Sequence, residues 1–527
     1  MGLSTLPWLW SEWPAESGHR IELELDGPGN GWTDVTQDVL DSQGIRLEYG
    51  ITGAGPLDLV ASTGQLSFTL NNGEDNSAGT PGYYSPQHAS CRTGFALGIG
   101  VRYHYRPPGT SDYYRRFIGR LKRIAPVPGK YGDRKTICGA VDWMEEAATF
   151  RPNVATLTNK RGDEVLTALL AAMPRPPAHV DFDAGDSAFP YALDNGRSEA
   201  NPLTTEIQRI CQSEYARCYI RGSVNGEWGT LRLERRTSRL TPVPVASFLG
   251  TMQGLQASED VAKVRNKAKV TAHPRRVDAS DTRVLFAKPN QSNPSVGPGQ
   301  TITITGRYTD PDTPNARIGG TDMQPATATT DYLMNALADG SGTDVTGNFT
   351  VLAIYGANQV EYRITNNGGA AGYVTKLQAR GRALYDYDPI DTFNLDQASI
   401  DLVGESLVTL DMPYQSDAAI AAAVAEFIVL TWVAPGTPDA KLRFLPRDID
   451  ELITALSIEP GDAITVTEEL TGINGVYFVQ GSSMAVEELG EKVSFEWTLQ
   501  RALVQDYWQL GVAGLSELGV TTVLAPL

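Results

Sequence analysis

Histidine, cysteine and clustered carboxylates are the side chains through which this chain would do chemistry, and their spacing argues against it. The five histidines (His19, His88, His104, His179 and His273) are scattered, and none stands in HExxH or another ligand spacing. The four cysteines (Cys91, Cys138, Cys211 and Cys218) form no CxxC pair and have no histidine cluster beside them, so reduced, buried thiols are expected. Cys211 and Cys218 read as two turns apart on one helix, too far for a disulfide. Asp181, Asp183 and Asp186 in VDFDAGDSAF are dense enough to recruit Ca²⁺ through oxygen ligands. Their spacing is not that of an EF-hand and no closing Glu follows, so an acidic turn is the expectation. Asp310-Pro311-Asp312 and the Asp386/Asp388/Asp391 group take the same reading. No GxSxG, GxxxxGK[ST] or strand-linked GxGxxG is present. A glycosidase needs two facing carboxylates, and among 62 Asp and Glu the sequence singles out no pair. The expectation is no catalytic residue, no cofactor and no metal.

The elements that would position such residues are mostly short strands. Gly 52 and Pro 32 punctuate brief apolar runs, as in a turn-rich β protein. Ile21, Leu23 and Leu25 alternate with Glu22 and Glu24, and Leu66, Phe68 and Leu70 with Ser67 and Thr69; both patterns mark half-buried strands. With Val101–Tyr105, Arg116–Ile118 and Thr136–Val141 they suggest a first β-barrel over residues 20–150. Residues 151–250 read as a small α+β domain. It has a helix over Asp163–Met173, a capping box Thr205-x-x-Gln208 opening a second helix through Tyr215, and a hairpin turn at Asn225-Gly226. Residues 283–384 are polar and Thr/Asn/Gly-rich, with strands at Thr301–Thr305 and Tyr362–Thr365, and read as an inserted Ig-like β-sandwich. Residues 255–282 and 385–505 flank it and read as a second β-barrel, onto which the apolar stretch Ala418–Val433 packs as a helix capped by Ser416 or Asp417. That stretch is short for a membrane span and contains Glu426. Residues 1–19, with Trp8, Trp10 and Trp13, form an arm that either anchors on a neighbouring subunit or packs on its own domain; residues 506–527 form a C-terminal extension. The arm lacks a basic start followed by an apolar run, so no signal peptide is expected, and with Ala418–Val433 too short for a span a soluble protein is expected.

Net charge is −18 and unevenly placed. From Tyr385 onward there are 23 Asp and Glu against 5 Lys and Arg, whereas Arg92–Lys135 holds 11 Lys and Arg against Asp112 and Asp133. A net anion is repelled by phosphate, which disfavours general nucleic-acid binding.

Several strings, in order along nearly the whole chain, resemble the minor tail proteins of siphophages, the hub-type subunits of the tail tip. They are Asp34–Leu40 (DVTQDVL), Gly64–Asn72 (GQLSFTLNN), Tyr84-Ser-Pro86, Gly100-Val-Arg102, Phe117-Ile-Gly119 and Val141-Asp-Trp143. Further along come Arg307–Asp312 (RYTDPD), Asp331–Thr346, Gly381–Leu384, Glu459-Pro-Gly-Asp462, Thr467–Gly472 and Tyr507–Leu524. The resemblance implies a two-barrel hub similar to that of contractile phages, and a homotrimeric ring whose barrels match a sixfold tail tube to threefold tip structures. It implies no shared catalytic residues. The implied partners are a distal tail or tail tube protein, a tape measure protein and tip fibre proteins. Genome DNA would pass through without specific binding. The implied location is the tail tip of the virion, after synthesis in the host cytoplasm. A host receptor- or glycan-binding role, through the sandwich, and an envelope-degrading enzyme are the alternatives. In such a ring either the basic residues Arg115, Arg116, Arg120, Lys122 and Arg123 meet the acidic Asp448, Asp450, Glu451, Glu468 and Glu469 of the other barrel, or both sets are solvated faces, or the acidic set lines the lumen and keeps passing DNA from sticking.

Overall fold

The computed structural model describes residues 18–129, 134–193, 201–224, 227–257, 260–289, 293–313, 316–433, 439–487 and 492–503. Residues 1–17 of the tryptophan-rich arm, the Asn225-Gly226 turn and the C-terminal extension lie outside them, and Gly18 and His19 belong to the first strand. The protein is mainly β, with few helices.

The first unit contains β1 (Gly18–Leu23), β2 (Ile45–Gly50), β3 (Gln65–Asn71), β4 (Gly100–Arg106), β5 (Tyr114–Val127) and β6 (Lys135–Val141). On β3 the alternation buries Leu66, Phe68 and Leu70 and leaves Gln65 and Ser67 exposed. The strand ends in an Asx turn, where Gly73 N–H donates to Asn71 Oδ1 at 2.8 Å. After β6, Asp142 caps α1 (Trp143–Thr149) by accepting from Met144 N–H at 3.0 Å.

The middle of the chain supplies α2 (Gly162–Ala171), α3 (Leu203–Glu214), β7 (Arg217–Val224) and β8 (Glu227–Glu234). Helix α3 starts at Leu203 behind Pro202, with no side-chain cap, so Thr205 lies inside the helix and does not open it. A proline just before the first turn presets the backbone without needing a donor. The helix stops at Tyr215 in the left-handed conformation, which places Cys218 on β7 and not on α3. Both cysteines are free and buried.

Next come β9 (Pro244–Leu249), β10 (Gly254–Ala257), β11 (Lys267–Ala272), β12 (Ile390–Leu395), β13 (Leu407–Met412) and α4 (Ala418–Trp432). Asp417 caps α4 by accepting from Ala419 N–H at 2.8 Å. Strands β12-β11-β13 form a separate sheet. With α4 it shares one apolar core with α2, α3, β7 and β8: Val270, Leu410, Val424 and Ile428 pack in the same cluster as Leu166, Ile207 and Leu231. The helix expected on the second barrel therefore packs on the middle domain. Alternating strands carry no label of the core they join, and the partner sheet decides it.

Ala272 and Ile390 face each other in register on β11 and β12, so everything between leaves and returns at one point. That excursion has its own core, with Leu285, Val374 and Leu377 from the sheet around the strand Gly372–Asp386 against Val360, Tyr362 and Ile364 from a three-stranded sheet.

The second unit uses β9 and β10 and is completed by β14 (Asp439–Phe444), α5 (Ile449–Ser457), β15 (Ala463–Glu468), β16 (Ile473–Glu487) and β17 (Lys492–Arg501). Trp497 is fully buried, its ring centroid 6.0 Å from that of Phe444 and 5.6 Å from that of Phe495. Each such side chain contributes about 1.5–3 kcal/mol through burial.

Candidate functional site

Strand order shows a repeat that the residues conceal. In the first unit the strands lie in the order β1-β4-β5-β6-β3-β2, and in the second β9-β15-β16-β17-β14-β10. These are the same six positions filled in the same chain order. Each pairing is antiparallel in both units except the outermost, which is antiparallel for β1–β4 and parallel for β9–β15. The long strands β5 and β16 correspond, and each shifts register against its following strand, between Leu121 and Arg123 in one and between Val479 and Gly481 in the other. The match extends to single bonds. Gly98 N–H donates to Leu121 O at 2.8 Å and Leu121 N–H to Ile99 O at 3.0 Å; Gly461 N–H donates to Val479 O at 2.7 Å and Val479 N–H to Asp462 O at 2.9 Å. Gly98 and Gly461 both hold a positive φ, +85° and +92°, where glycine is the residue without strain.

The two units join edge to edge. Beyond its pairing with β15, β16 runs on, and Gly481–Val486 pairs antiparallel with Ile45–Gly50 of β2. This fuses both units into one 13-stranded sheet over a single apolar core. Gly50 and Gly481 are required at the crossing, because a Cβ on Gly50 would lie 2.6 Å from Gln480 O and one on Gly481 2.7 Å from Ile51 O.

A buried polar cluster pins this joint to the middle domain. Arg116 on β5 is fully buried and donates to Glu459 Oε1 at 2.9 Å and to Leu456 O at 2.7 Å. Glu459 Oε2 accepts from Tyr49 Oη at 3.0 Å and from Gly222 N–H at 2.9 Å. Arg221 donates to Asp462 Oδ1 at 2.7 Å, and Asp462 Oδ2 accepts from Glu459 N–H at 2.9 Å. Burial pushes the Glu459 carboxyl up, against the opposing pull of Arg116 and Arg221. Burial also drives the Tyr49 hydroxyl well up. A second cluster ties β7 and β8 to β17. Arg239 grips Glu234 through two bonds of 2.8 Å and donates to Gln500 Oε1 at 2.9 Å. Burial raises Glu234, yet Arg239 and Arg217 hold it below the usual carboxylate range. Such buried clusters fix geometry more than they add stability.

Most of the groups that spacing singled out are engaged in structure. Asp181 and Asp183 pair with Arg232 at 3.1 and 2.7 Å, and Asp186 with Arg235 at 3.5 Å. Asp310 accepts from Tyr385 Oη at 3.3 Å, Asp312 pairs with Arg283, Asp386 with Arg275 at 3.5 Å and Asp391 with Lys269 at 2.7 Å. His104 lies 3.2 Å from Glu22, and His179 and His273 pair with Glu227 and Asp411. Among the described residues no three metal-ligating side chains converge. A cleft of about 250 Å³ between Trp32 and Trp143 is lined by Glu145 and Glu146, which pair with Lys122 at 2.6 Å and Arg120 at 3.6 Å.

The same contacts withdraw Arg116 from the expected meeting of charges around a ring and engage several of the others within the chain. Arg116 is sealed inside, Arg120 and Lys122 are paired within the chain, and Arg115 stacks over Trp228 at 5.3 Å. On the acidic side Asp448 caps α5 and Glu451 pairs with Arg447. Arg123, Asp450 and Glu469 are exposed.

No family model and no curated protein matches the chain. Among solved structures it is similar in overall organisation to phage tail proteins. The 43 kDa tail protein of prophage MuSo2 from Shewanella oneidensis gives a TM-score of 0.47 at 8% identity, covering 92% of this chain and 99% of that one. A tail protein from Neisseria meningitidis MC58 gives 0.46 at 8% identity, covering 92% and 96%. Prophage tail protein gp18 of Listeria monocytogenes gives 0.44 at 8% identity, covering 91% and 94%.

Proposed function

We propose that this chain is a non-enzymatic hub subunit of a phage tail tip, three copies of which close into a ring of six matched units. One observation carries the reading: the chain contains two copies of one six-strand unit, already laid side by side through β16 and β2. A unit that presents one edge and accepts another is a heterologous building block, and such blocks close into a ring where the rotation between them closes. Two units per chain let a threefold ring present six near-equivalent faces, which suits it to cap a sixfold tube and to carry threefold tip structures on its other side. The tube, tape measure and fibre proteins are the partners in this reading, and genome DNA crosses the ring without sequence readout. Light scattering of the concentrated, purified chain tests it. A mass of three chains supports the ring; a monomer at every concentration, with or without cross-linker, contradicts it.

A further inference from the structure

Each half of the internal joint has an unpaired counterpart elsewhere in the fused sheet. The internal joint uses the far half of β16 and the outer edge of β2. By the strand correspondence, the equivalent elements are the far half of β5 and the outer edge of β10. Among the described residues neither has a strand partner there: β4 leaves β5 after Arg120, and β10 pairs only with β14. We propose, on the basis of the ring reading, that Pro126–Pro128 of one copy docks against Leu255–Ala257 of the next, and that Pro126 and Pro128 make this joint weaker than the internal one.

The register follows from the repeat. The matched shifts place Arg123 at the position of Gly481, so Ile124, Pro126 and Pro128 stand where Ser482, Met484 and Val486 stand on β16. In the other strand Gln256 stands where Arg46 stands on β2, and Leu255 where Ile45 stands. Carried across, Val127 faces Gln256 as Ala485 faces Arg46.

The direction of the amides is fixed as well. Ile51 N–H donates to Gln480 O at 2.9 Å, so alternate residues from Gln480 onward (Ser482, Met484 and Val486) aim their main-chain groups at β2. Pro126 faces Thr136 of β6 and has no N–H to give it, so its main chain, like that of Ile124 and Pro128, is turned to the open edge. Two of the three outward donors present on β16 are therefore missing on β5. Carbonyls remain to accept from β10, but the return bonds do not form. Prolines on an open edge are a known guard against indiscriminate strand pairing. The result is a ring with strong joints within chains and weak joints between them, closing when copies are concentrated or templated.

Two variants of the full chain test this. Val127→Cys/Gln256→Cys places cysteines at a non-hydrogen-bonded pair, the close-approach geometry that a disulfide accepts. Mild oxidation should give ladders of two and three chains on a non-reducing gel, absent from either single variant. Pro126→Thr/Pro128→Thr restores both amides and should tighten self-association about tenfold to a hundredfold in sedimentation, at one or two ordinary hydrogen bonds per joint. Rings that form without cross-linking and without any response to the threonines would overturn the edge assignment and leave the ring standing. Cross-linked open chains that never close would keep the edge and remove the ring. Monomers in every variant would remove both.

Discussion

Removing Glu459 is the sharpest perturbation of the joint. Its carboxylate accepts from Arg116, Tyr49 and Gly222 N–H, and thereby binds both units and the middle domain at one point. Glu459→Ala strands the Arg116 guanidinium, fully buried and with only main-chain carbonyls left to it. A buried charge that loses its partner costs about 3–5 kcal/mol, a large share of what holds a domain folded. Arg116→Met/Glu459→Leu removes both charges together and should recover most of that loss, because a well-packed apolar pair replaces a buried ion pair at little net cost. The assay is urea unfolding followed by tryptophan fluorescence, with Trp497 reporting on the second unit. Limited proteolysis at low urea separates loss of the joint from global unfolding. A single variant within about 1 kcal/mol of wild type would refute the account of the cluster. A double variant as damaged as the single would shift the effect to the lost bonds at Tyr49 and Gly222.

Other consequences are equally direct. Burial pushes Asp142 and Glu214 each up to about 7. A raised carboxyl adds stability below its unfolded value and loses it as pH climbs through the folded one. Thermal stability should therefore fall between pH ~4 and ~7, and Asp142→Asn with Glu214→Gln should flatten that fall, by up to about 4 kcal/mol per group; an unchanged pH profile would contradict this. Replacing residues 278–383 by Asn-Gly should join Val277 to Leu384, which already face each other, and leave a folded remainder of unchanged oligomeric state; aggregation of the shortened chain would count against it. Cys138, Cys211 and Cys218 should react with a maleimide only in denaturant, burial having raised the Cys138 and Cys211 thiols, and mass spectrometry should find no Cys211–Cys218 disulfide.

The sequence disclosed what is written locally. Leu66, Phe68 and Leu70 announce β3 by alternation, and Asp417 announces α4 by its cap. The repeat was hidden because it resides in pairing order and in two bulges, while the only shared residue at the equivalent hairpins is a glycine, Gly98 in one and Gly461 in the other. Arg116 stands in a run of basic residues and reads with them as charge turned toward the other barrel. Nothing within the strand distinguishes a guanidinium facing water from one facing Glu459, more than three hundred positions away. Residues 255–282 read as part of the second barrel because they flank the sandwich; α4 and β13, which draw Lys267–Ala272 into the middle core, lie beyond that sandwich. The prolines of β5 were plain in the sequence, but their meaning needed the strand they deny.

An asymmetric cryo-electron-microscopy reconstruction of the concentrated full-length chain tests the central claim most directly. The account predicts three copies whose six matched units alternate around one ring, joined in turn by β16 to β2 within a chain and by β5 to β10 between chains. A closed assembly held together through the inserted sandwiches, with the two units of each chain off a common ring, would contradict it.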